Sequence, residues 1–372
     1  MQSDVSSPAD VLSQFVLGGE VAGIEPAAEG HINRSWIVAV RGSAGTPGRF
    51  LLQRINESVF REPDRVMENV ALVTRHLAEA VRRSGAADAE RRVLRLVPTR
   101  GGAAYHRDAG GGVWRLYPFI GGTLAREHVD SREEAREIGR AFGTFQRLLA
   151  DYSGARLHET IPRFHDTAWR VETLEHAIAA DRAGRARGAR AEIEAVRAHE
   201  DLAEVLPALL ESGDIVERIA HNDAKSSNVL LDERTGAALC VVDLDTVMPG
   251  TLLYDFGDMV RSTTSPTAED ERDLRKVGVQ VALFAGLVEG YVSALGPVLA
   301  AAERDLLVFA GRLITFEQAV RFLADHLDGD RYYRTTCPEH NLLRCRTQVK
   351  LLESLERHED ALRRAVERAA PR

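Results

Sequence analysis

Hydrophobic positions in the first hundred residues fall in short runs broken by glycine. Trp36-Ile37-Val38-Ala39-Val40 reads as a strand, Arg41 to Gly48, with three glycines and a proline, as a loop, and Phe50-Leu51-Leu52 as the start of a second strand running to Ile55. Pro63 suits a first helical turn, and Val66, Val70, Val73 and Leu77 recur behind it at helical spacing. Val93 to Val97 and Val113 to Ile120 predict further strands. After Gly121-Gly122 the period becomes helical. Ser131 and Glu134 have the spacing of a capping box, and Ile138, Phe142, Phe145 and Leu149 make one apolar face behind them. The Arg-rich stretch Asp181 to Arg197 reads as a solvated helix or loop. One exception interrupts the helices. Val229-Leu230-Leu231 and Ala238 to Val242 are β-rich and flank the turn sequence Asp232-Glu233-Arg234-Thr235-Gly236, which predicts a hairpin. The expected architecture is α+β: residues 1–120 form a small sheet with one main helix, and residues 121–372 are mostly helical.

Composition narrows the function classes. The chain of 372 residues is 44% hydrophobic and 28% charged, ordinary globular values, and is long for a single simple core. A net charge of -8 argues against nucleic acid as a partner, because that needs a basic footprint. Cys240, Cys337 and Cys345 are too few and too far apart for a disulfide framework or a zinc site. No basic segment followed by an apolar stretch opens the sequence, and no apolar run is read as approaching the roughly 20 residues that span a bilayer. A soluble, cytoplasmic protein with no membrane partner is expected; the oligomeric state stays open.

The chemistry concentrates in His221-Asn222-Asp223-Ala224-Lys225-Ser226-Ser227-Asn228, followed by the hairpin and Asp243-Leu244-Asp245. A hairpin returns the chain to its starting end, so Asn228 and Asp243 are expected together, with Asp223 just upstream. An amide oxygen and a carboxylate are hard ligands suited to Mg²⁺. Phosphoryl transfer asks for little more: phosphate charge neutralised by metal, and an acceptor hydroxyl positioned by a carboxylate. Asp223 is the candidate for the hydroxyl, Asn228 and Asp243 for the metal, Lys225 for the transferring phosphate, and His221 for fixing the loop. H-x-D-x-x-x-x-N alone arises by chance in loops; the hairpin and D-x-D behind it make the pattern specific. A hydrolytic metal site at His221, Asp223 and Asp243 is the weaker use of these residues, and no base-orienting motif accompanies Ser226 or Ser227 as a nucleophile. A non-catalytic ATP-binding pseudokinase is the reading from another class, but its usual cue, loss of base or metal ligands, is missing.

At these residues the chain resembles the aminoglycoside phosphotransferase-like kinases, which share the protein-kinase fold. C-V-V-D-L-D-T-V-M-P-G with L-Y-D-F-G-D-M-V-R looks more specifically like the N-acetylhexosamine 1-kinases, as do F-L-L-Q-R-I-N with M-E-N, and R-F-L-A-D-H-L-D-G-D-R-Y-Y with P-E-H-N. The resemblance spans roughly Glu29 to Leu352. It implies a bilobal fold with a nucleotide-binding N-terminal lobe, a catalytic and substrate-binding C-terminal lobe, and ATP with Mg²⁺ between them. Gly30-His31-Ile32-Asn33 then becomes the loop over the phosphates, or else a plain turn. The strand expected to carry a phosphate-binding lysine reads Leu52-Gln53-Arg54-Ile55, so Arg54 or Gln53 substitutes, with Glu68 as ion-pair partner. Tyr117 and Phe119 fall in the hinge that reads the adenine. Asp255 braces the catalytic loop or caps a helix.

The resemblance also implies an acceptor. Residues matching Asp243, Thr246, Arg321 and Tyr332 contact the sugar in that subfamily, and Asp223 meets its hydroxyl. Glu317, Arg321, Asp325, His326, Arg331, Tyr332 and Tyr333 mix donors with acceptors, as a neutral, hydroxyl-rich sugar needs; an aminoglycoside calls for carboxylates and choline for an aromatic cage. Glu317 and Arg321, four apart, also fit a surface ion pair. The expected reaction is in-line transfer from ATP·Mg²⁺ to the C1 hydroxyl of an N-acetylhexosamine or related sugar. An aminoglycoside, amino-cyclitol, homoserine or choline-like alcohol is the alternative acceptor.

Overall fold

The computed structural model describes residues 6–27, 32–42 and 47–370; Gly30 and His31 of the expected phosphate loop lie outside them. The chain packs as two compact units. The first takes Met1–Thr123, Asp151–Pro162 and Leu239–Met248, and the second takes Leu124–Ala150, Arg163–Ala238 and Pro249–Arg372. The class is α+β, with an antiparallel sheet in the first unit and mostly helices in the second.

The first unit contains α1 (Pro8–Leu12), β1 (Gly19–Pro26), β2 (Arg34–Gly42), β3 (Pro47–Arg54), α2 (Pro63–Arg83), β4 (His106–Arg107) and β5 (Val113–Pro118). The strands order as β1-β2-β3-β5-β4. Alternation divides β3 and β5 into two faces. Leu52, Trp114 and Leu116 join Val38, Val40 and the α1 residues Val11 and Leu12 in one core, with Trp36 stacked on Trp114. Gln53 pairs in register with Arg115 and Leu51 with Tyr117, and these point to the opposite face. Val93 to Val97 does not form the expected strand. Val93 and Val97 are buried, but the run makes only isolated pairings, such as Val97 N–H to Leu116 O at 2.8 Å, and it runs into Pro98, which has no N–H to extend a ladder.

The second unit holds α3 (Arg132–Leu149), α4 (Thr167–Ala180), α5 (Arg190–Arg197), α6 (Val205–Ser212), α7 (Leu252–Thr263), α8 (Val281–Leu295), α9 (Ala301–Asp305), α10 (Leu307–Asp328), α11 (His340–Arg357) and α12 (Glu359–Ala369). Short strands complete the order: β6 (Thr123–Leu124), β7 (Arg218–Ala220), β8 (Val229–Asp232), β9 (Ala238–Val241) and β10 (Met248–Gly250). Between β8 and β9 the expected turn closes, Asp232 N–H donating to Ala237 O at 2.9 Å and Gly236 standing at φ +69°. Ser131 caps α3 by accepting from Glu134 N–H at 3.1 Å, but the Glu134 carboxylate turns to Asp130 N–H and Arg126, so only half of the capping box forms.

Contrary to the sequence reading, one stretch among the described residues is by length and composition apolar enough to cross a bilayer: Val281–Val298 has a mean hydropathy of 1.6 over 18 residues. Its placement explains the composition. α8 lies so tightly on α3 that a Cβ on Gly290 would stand 1.9 Å from Arg136 O, and one on Gly139 would stand 2.2 Å from Leu287 O. Backbones this close exclude side chains and water, so the half of the stretch that faces α3 is apolar because it is core.

Candidate active site

The catalytic-loop sequence leaves β7 in a conformation that the chain must enforce. Asn222 takes φ +62°, a left-handed value that a short polar side chain tolerates. Asp255, fully buried in the first turn of α7, does the enforcing. Its Oδ2 accepts from His221 N–H at 2.9 Å and Gln146 Nε2 at 2.6 Å, and its Oδ1 accepts from Asn222 N–H at 2.7 Å. Thr251, not Asp255, caps the helix. Burial pushes the Asp255 carboxyl up from its usual range despite the nearby His221 and these donors. Asp255→Asn replaces an acceptor by a donor facing a backbone N–H. It is expected to cost about 1–3 kcal/mol and to speed hydrogen exchange at residues 221 and 222; unchanged exchange there contradicts the brace.

His221 is buried, its ring edge-on to Phe142 and Phe145 at 5.4 and 5.7 Å, and its Nδ1 accepts from Asp223 N–H at 3.3 Å. The ring therefore shapes the loop and is poorly placed as a metal ligand. Asp223 Oδ2 accepts from Lys225 Nζ at 2.9 Å and Asn228 Nδ2 at 3.1 Å, and the same amide donates to Asp223 O at 2.8 Å. Burial pushes the Asp223 carboxyl up, but Lys225, His221 and Arg261 outweigh it and hold it at about 2. It is a carboxylate throughout the physiological range. With Asn228 Nδ2 turned onto Asp223, the Oδ1 is the end of that amide suited to a hard cation.

The D-x-D residues belong to the first unit. Asp243 stands at φ +61° and opens the single 3₁₀ turn Leu244–Thr246. Asp245 carries a different load. It is 2% exposed and forms a two-pronged ion pair with Arg115, itself 1% exposed, and its Oδ2 also accepts from Asn33 Nδ2 at 2.6 Å. Gln53 Oε1 accepts from Arg115 Nε at 3.0 Å, Thr160 donates to Asp245 O at 2.8 Å, and Asn69 Nδ2 donates to Val247 O at 3.0 Å. Strands, α2 and a loop thus pin the turn that aims Asp243. Burial alone disfavours the guanidinium, but the charges of Asp245 and Asp243 raise the Arg115 pKa above its usual value. Tyr117 is buried with a hydroxyl that has no hydrogen-bond partner among the described residues. Phe119 lies under the Arg49 guanidinium at 4.1 Å.

Two expectations change here. Arg54 is not brought to this group. It shares a face with Leu52, stands over the Trp114 ring at 5.8 Å, and leaves Gln53 on the Arg115 face. Glu68 pairs with His158 Nε2 at 2.6 Å and not with a strand cation. Arg115 was missed. Its signal was a lone Arg in Val-Trp-Arg-Leu-Tyr, since a buried charge needs a partner.

In the second unit, α4, α10 and the loop after α10 enclose a cavity of about 340 Å³, a size ordinary for small-molecule sites. Arg321 and Tyr332 line it, as do Arg170, Arg182, Asp325 and Asp328. The acids are committed. Asp325 accepts from the N–H groups of Arg331, Tyr332 and Tyr333 and from Asn341 Nδ2, all within 3.0 Å. Asp328 pairs with Arg182 at 2.9 Å. Arg170 and Arg321 are held near Phe164, Arg170 by its carbonyl and Arg321 over its ring at 4.7 Å. Burial and then Arg321 lower the Arg170 pKa, so two guanidiniums crowd one wall. Glu317 and Arg321 do not form a surface pair. Glu317 is buried and Arg321 is partly buried, 3.9 Å apart, and Glu317 accepts from His165 and Thr167 instead. Thr246 is buried on the turn after Asp243, in the first unit.

The model of the phosphotransferase enzyme family matches residues 23–281, more than half of the chain. Three solved structures share the fold. An aminoglycoside phosphotransferase from Alicyclobacillus acidocaldarius subsp. acidocaldarius DSM 446 is 16% identical with a TM-score of 0.62, covering 98% of this chain and 97% of that one. The amicoumacin kinase hAmiN, in complex with AMP-PNP, Ca²⁺ and Ami, is 13% identical with a TM-score of 0.59, covering 93% of each. A choline kinase from Cryptosporidium parvum Iowa II is 12% identical with a TM-score of 0.56, covering 91% and 90%.

Proposed function

The chain belongs to the phosphotransferase enzyme family, and from that premise we propose that it moves the γ-phosphate of ATP to the anomeric C1 hydroxyl of an N-acetylhexosamine or related neutral sugar in the cytoplasm. ATP with a divalent cation is the cofactor pair of this family, and the hAmiN complex holds AMP-PNP with Ca²⁺. Asn228 Oδ1 and the Asp243 carboxylate are the ligands in this reading, hard oxygens that leave room for phosphate oxygens; the cation neutralises charge on the phosphates. Asp223 receives the hydrogen bond of the acceptor hydroxyl and aligns it. A carboxylate at about 2 is too weak a base to ionise an alcohol beforehand. The proton therefore passes late, as the loose phosphoryl transition state builds charge on the entering oxygen. Lys225, held on Asp223, supplies positive charge at that point. Gln53, Asn33, Tyr117 and Phe119 are the nucleotide-side candidates.

The observation that carries the acceptor reading is the commitment of charge around the cavity. Asp325 and Asp328 are spent on backbone N–H groups and on Arg182, whereas Arg170 and Arg321 line the wall. Cationic acceptors need uncommitted carboxylates or an aromatic cage; a neutral sugar needs donors and stacking rings such as Tyr332 and Tyr333. Fold relatives named for aminoglycosides and choline keep those alcohols as the second reading. A panel of N-acetylhexosamines, plain hexoses, aminoglycosides, homoserine and choline, assayed for ADP release, separates them. Arg321→Gln is expected to raise the sugar KM about tenfold or more, and phosphorus NMR of the product to show coupling to the anomeric proton. Preferential turnover of a cationic alcohol, or phosphate on another hydroxyl, refutes the C1 assignment. ATP binding without turnover of any acceptor favours a pseudokinase.

A further inference from the structure

His165 precedes α4 with a side chain only 6% exposed, yet the loop chemistry described so far does not use it. Its Nδ1 lies 2.8 Å from Glu317 Oε1 on α10, and its Nε2 lies 2.9 Å from the carbonyl oxygen of Asn222 in the catalytic loop. Neither partner has a proton to give: a carbonyl only accepts, and Glu317 already accepts from Thr167 at 2.7 Å through its other oxygen. A neutral imidazole has one N–H and would face one acceptor with a lone pair. Two acceptors on opposite sides of one ring fit a ring protonated on both nitrogens.

From this geometry we infer that His165 is a positioning residue held as an imidazolium, tying Glu317 and the Arg321 wall of the cavity to the left-handed Asn222 step beside Asp223. The tie links the loop that carries the acceptor-aligning carboxylate to Glu317, which stands 3.9 Å from Arg321 on the cavity wall. It rests on the phosphotransferase activity and not on which alcohol is phosphorylated.

The groups facing the ring account for its charge. Glu317 and Arg321 come from α10, Tyr254 from α7 stacks on it at 4.8 Å, Asp166 follows nearby in sequence, and the loop contributes the Asn222 carbonyl. Burial disfavours the cation and Arg321 opposes it, but Glu317 and the Asn222 carbonyl prevail and raise the pKa above its usual value. A raised folded value means that the contribution is complete below the unfolded pKa of about 6.5 and is lost as pH rises through the folded value. The tie thus sets an alkaline limb on activity.

The test begins on the wild-type protein, with nitrogen-15 NMR of the His165 ring near neutral pH. Two protonated ring nitrogens are expected, and this readout needs no substrate; a neutral tautomer overturns the inference even if every acceptor assay succeeds. His165→Gln has one donor end for two acceptors and is expected to lower kcat about 10- to 100-fold while leaving the KM for ATP unchanged. Glu317→Gln removes the charge that holds the proton, and the alkaline limb of kcat is expected to move to lower pH. A His165→Gln variant that stays folded with near-wild-type kcat, or a Glu317→Gln pH profile superimposable on the wild type, also overturns it.

Discussion

Asp223→Asn is expected to lower kcat about 10²- to 10⁴-fold, or roughly 2.7–5.4 kcal/mol of barrier, with little change in the KM for ATP. The substitution keeps the side chain's shape and one acceptor oxygen for the Lys225 and Asn228 contacts. What it removes, in the proposed reaction, is the charge that stabilises a proton leaving the acceptor hydroxyl. The lost effect is confined to the transition state, so it appears in kcat and kcat/KM together. Single-turnover measurement of the phosphoryl step is the decisive readout; a rate within a few-fold of wild type removes Asp223 from the chemistry. Because Asp223 is held at about 2, its own titration places no acid limb in the working range, and wild-type activity is expected to stay independent of that group from pH 4 upwards.

Arg115→Met carries the second large effect, on stability. Arg115 and Asp245 are nearly inaccessible, and both prongs of the guanidinium are used. Removing one partner leaves the other charge buried and unpaired, which costs about 3–5 kcal/mol. That is a large fraction of the roughly 5–15 kcal/mol that holds a domain folded. Replacing Asp245 by Leu in the Arg115→Met background is expected to recover part of the loss, since a buried ion pair and an apolar pair of similar volume are often near-equal in stability. Denaturant midpoints of the single and double variants measure this. A single-variant loss under about 1 kcal/mol marks the pair as solvated. Activity stays low in the double variant if the turn that aims Asp243 depends on Asn33 and Arg115 holding Asp245.

Much of the second unit was legible because its motifs are local. The catalytic loop, the turn at Asp232–Gly236 and the helix opening at Ser131 each occupy fewer than about ten residues, and their residue types are demanded by backbone geometry. The bracing role of Asp255 was one of two sequence readings, and only the hydrogen bonds to His221 and Asn222 decided between them. The Val93–Val97 strand failed because apolar composition reports burial and not pairing. The structure does not bring Arg54 to the Arg115 face or Glu68 to a strand cation, for a related reason. One-residue alternation along β3 sends neighbours to opposite faces, and which face meets Asp245 is set by strands and loops distant in sequence.

The amino-acid sequence by itself determined the α+β class, the phosphotransferase family, and the identity of the residues that could bear the chemistry, because each is written in short-range spacing. Tertiary structure alone decided which partners each of those residues meets. Asp245, Asp325 and Glu317 look as available in the sequence as Asp223. Each is committed by donors brought from more than one place in the chain, Arg115 and Asn33 to the first, Asn341 and the loop after α10 to the second, His165 and Thr167 to the third. A carboxylate's role follows from its partners, and for Asp245 and Glu317 the partners stand more than a hundred residues away and meet them only when the chain has folded.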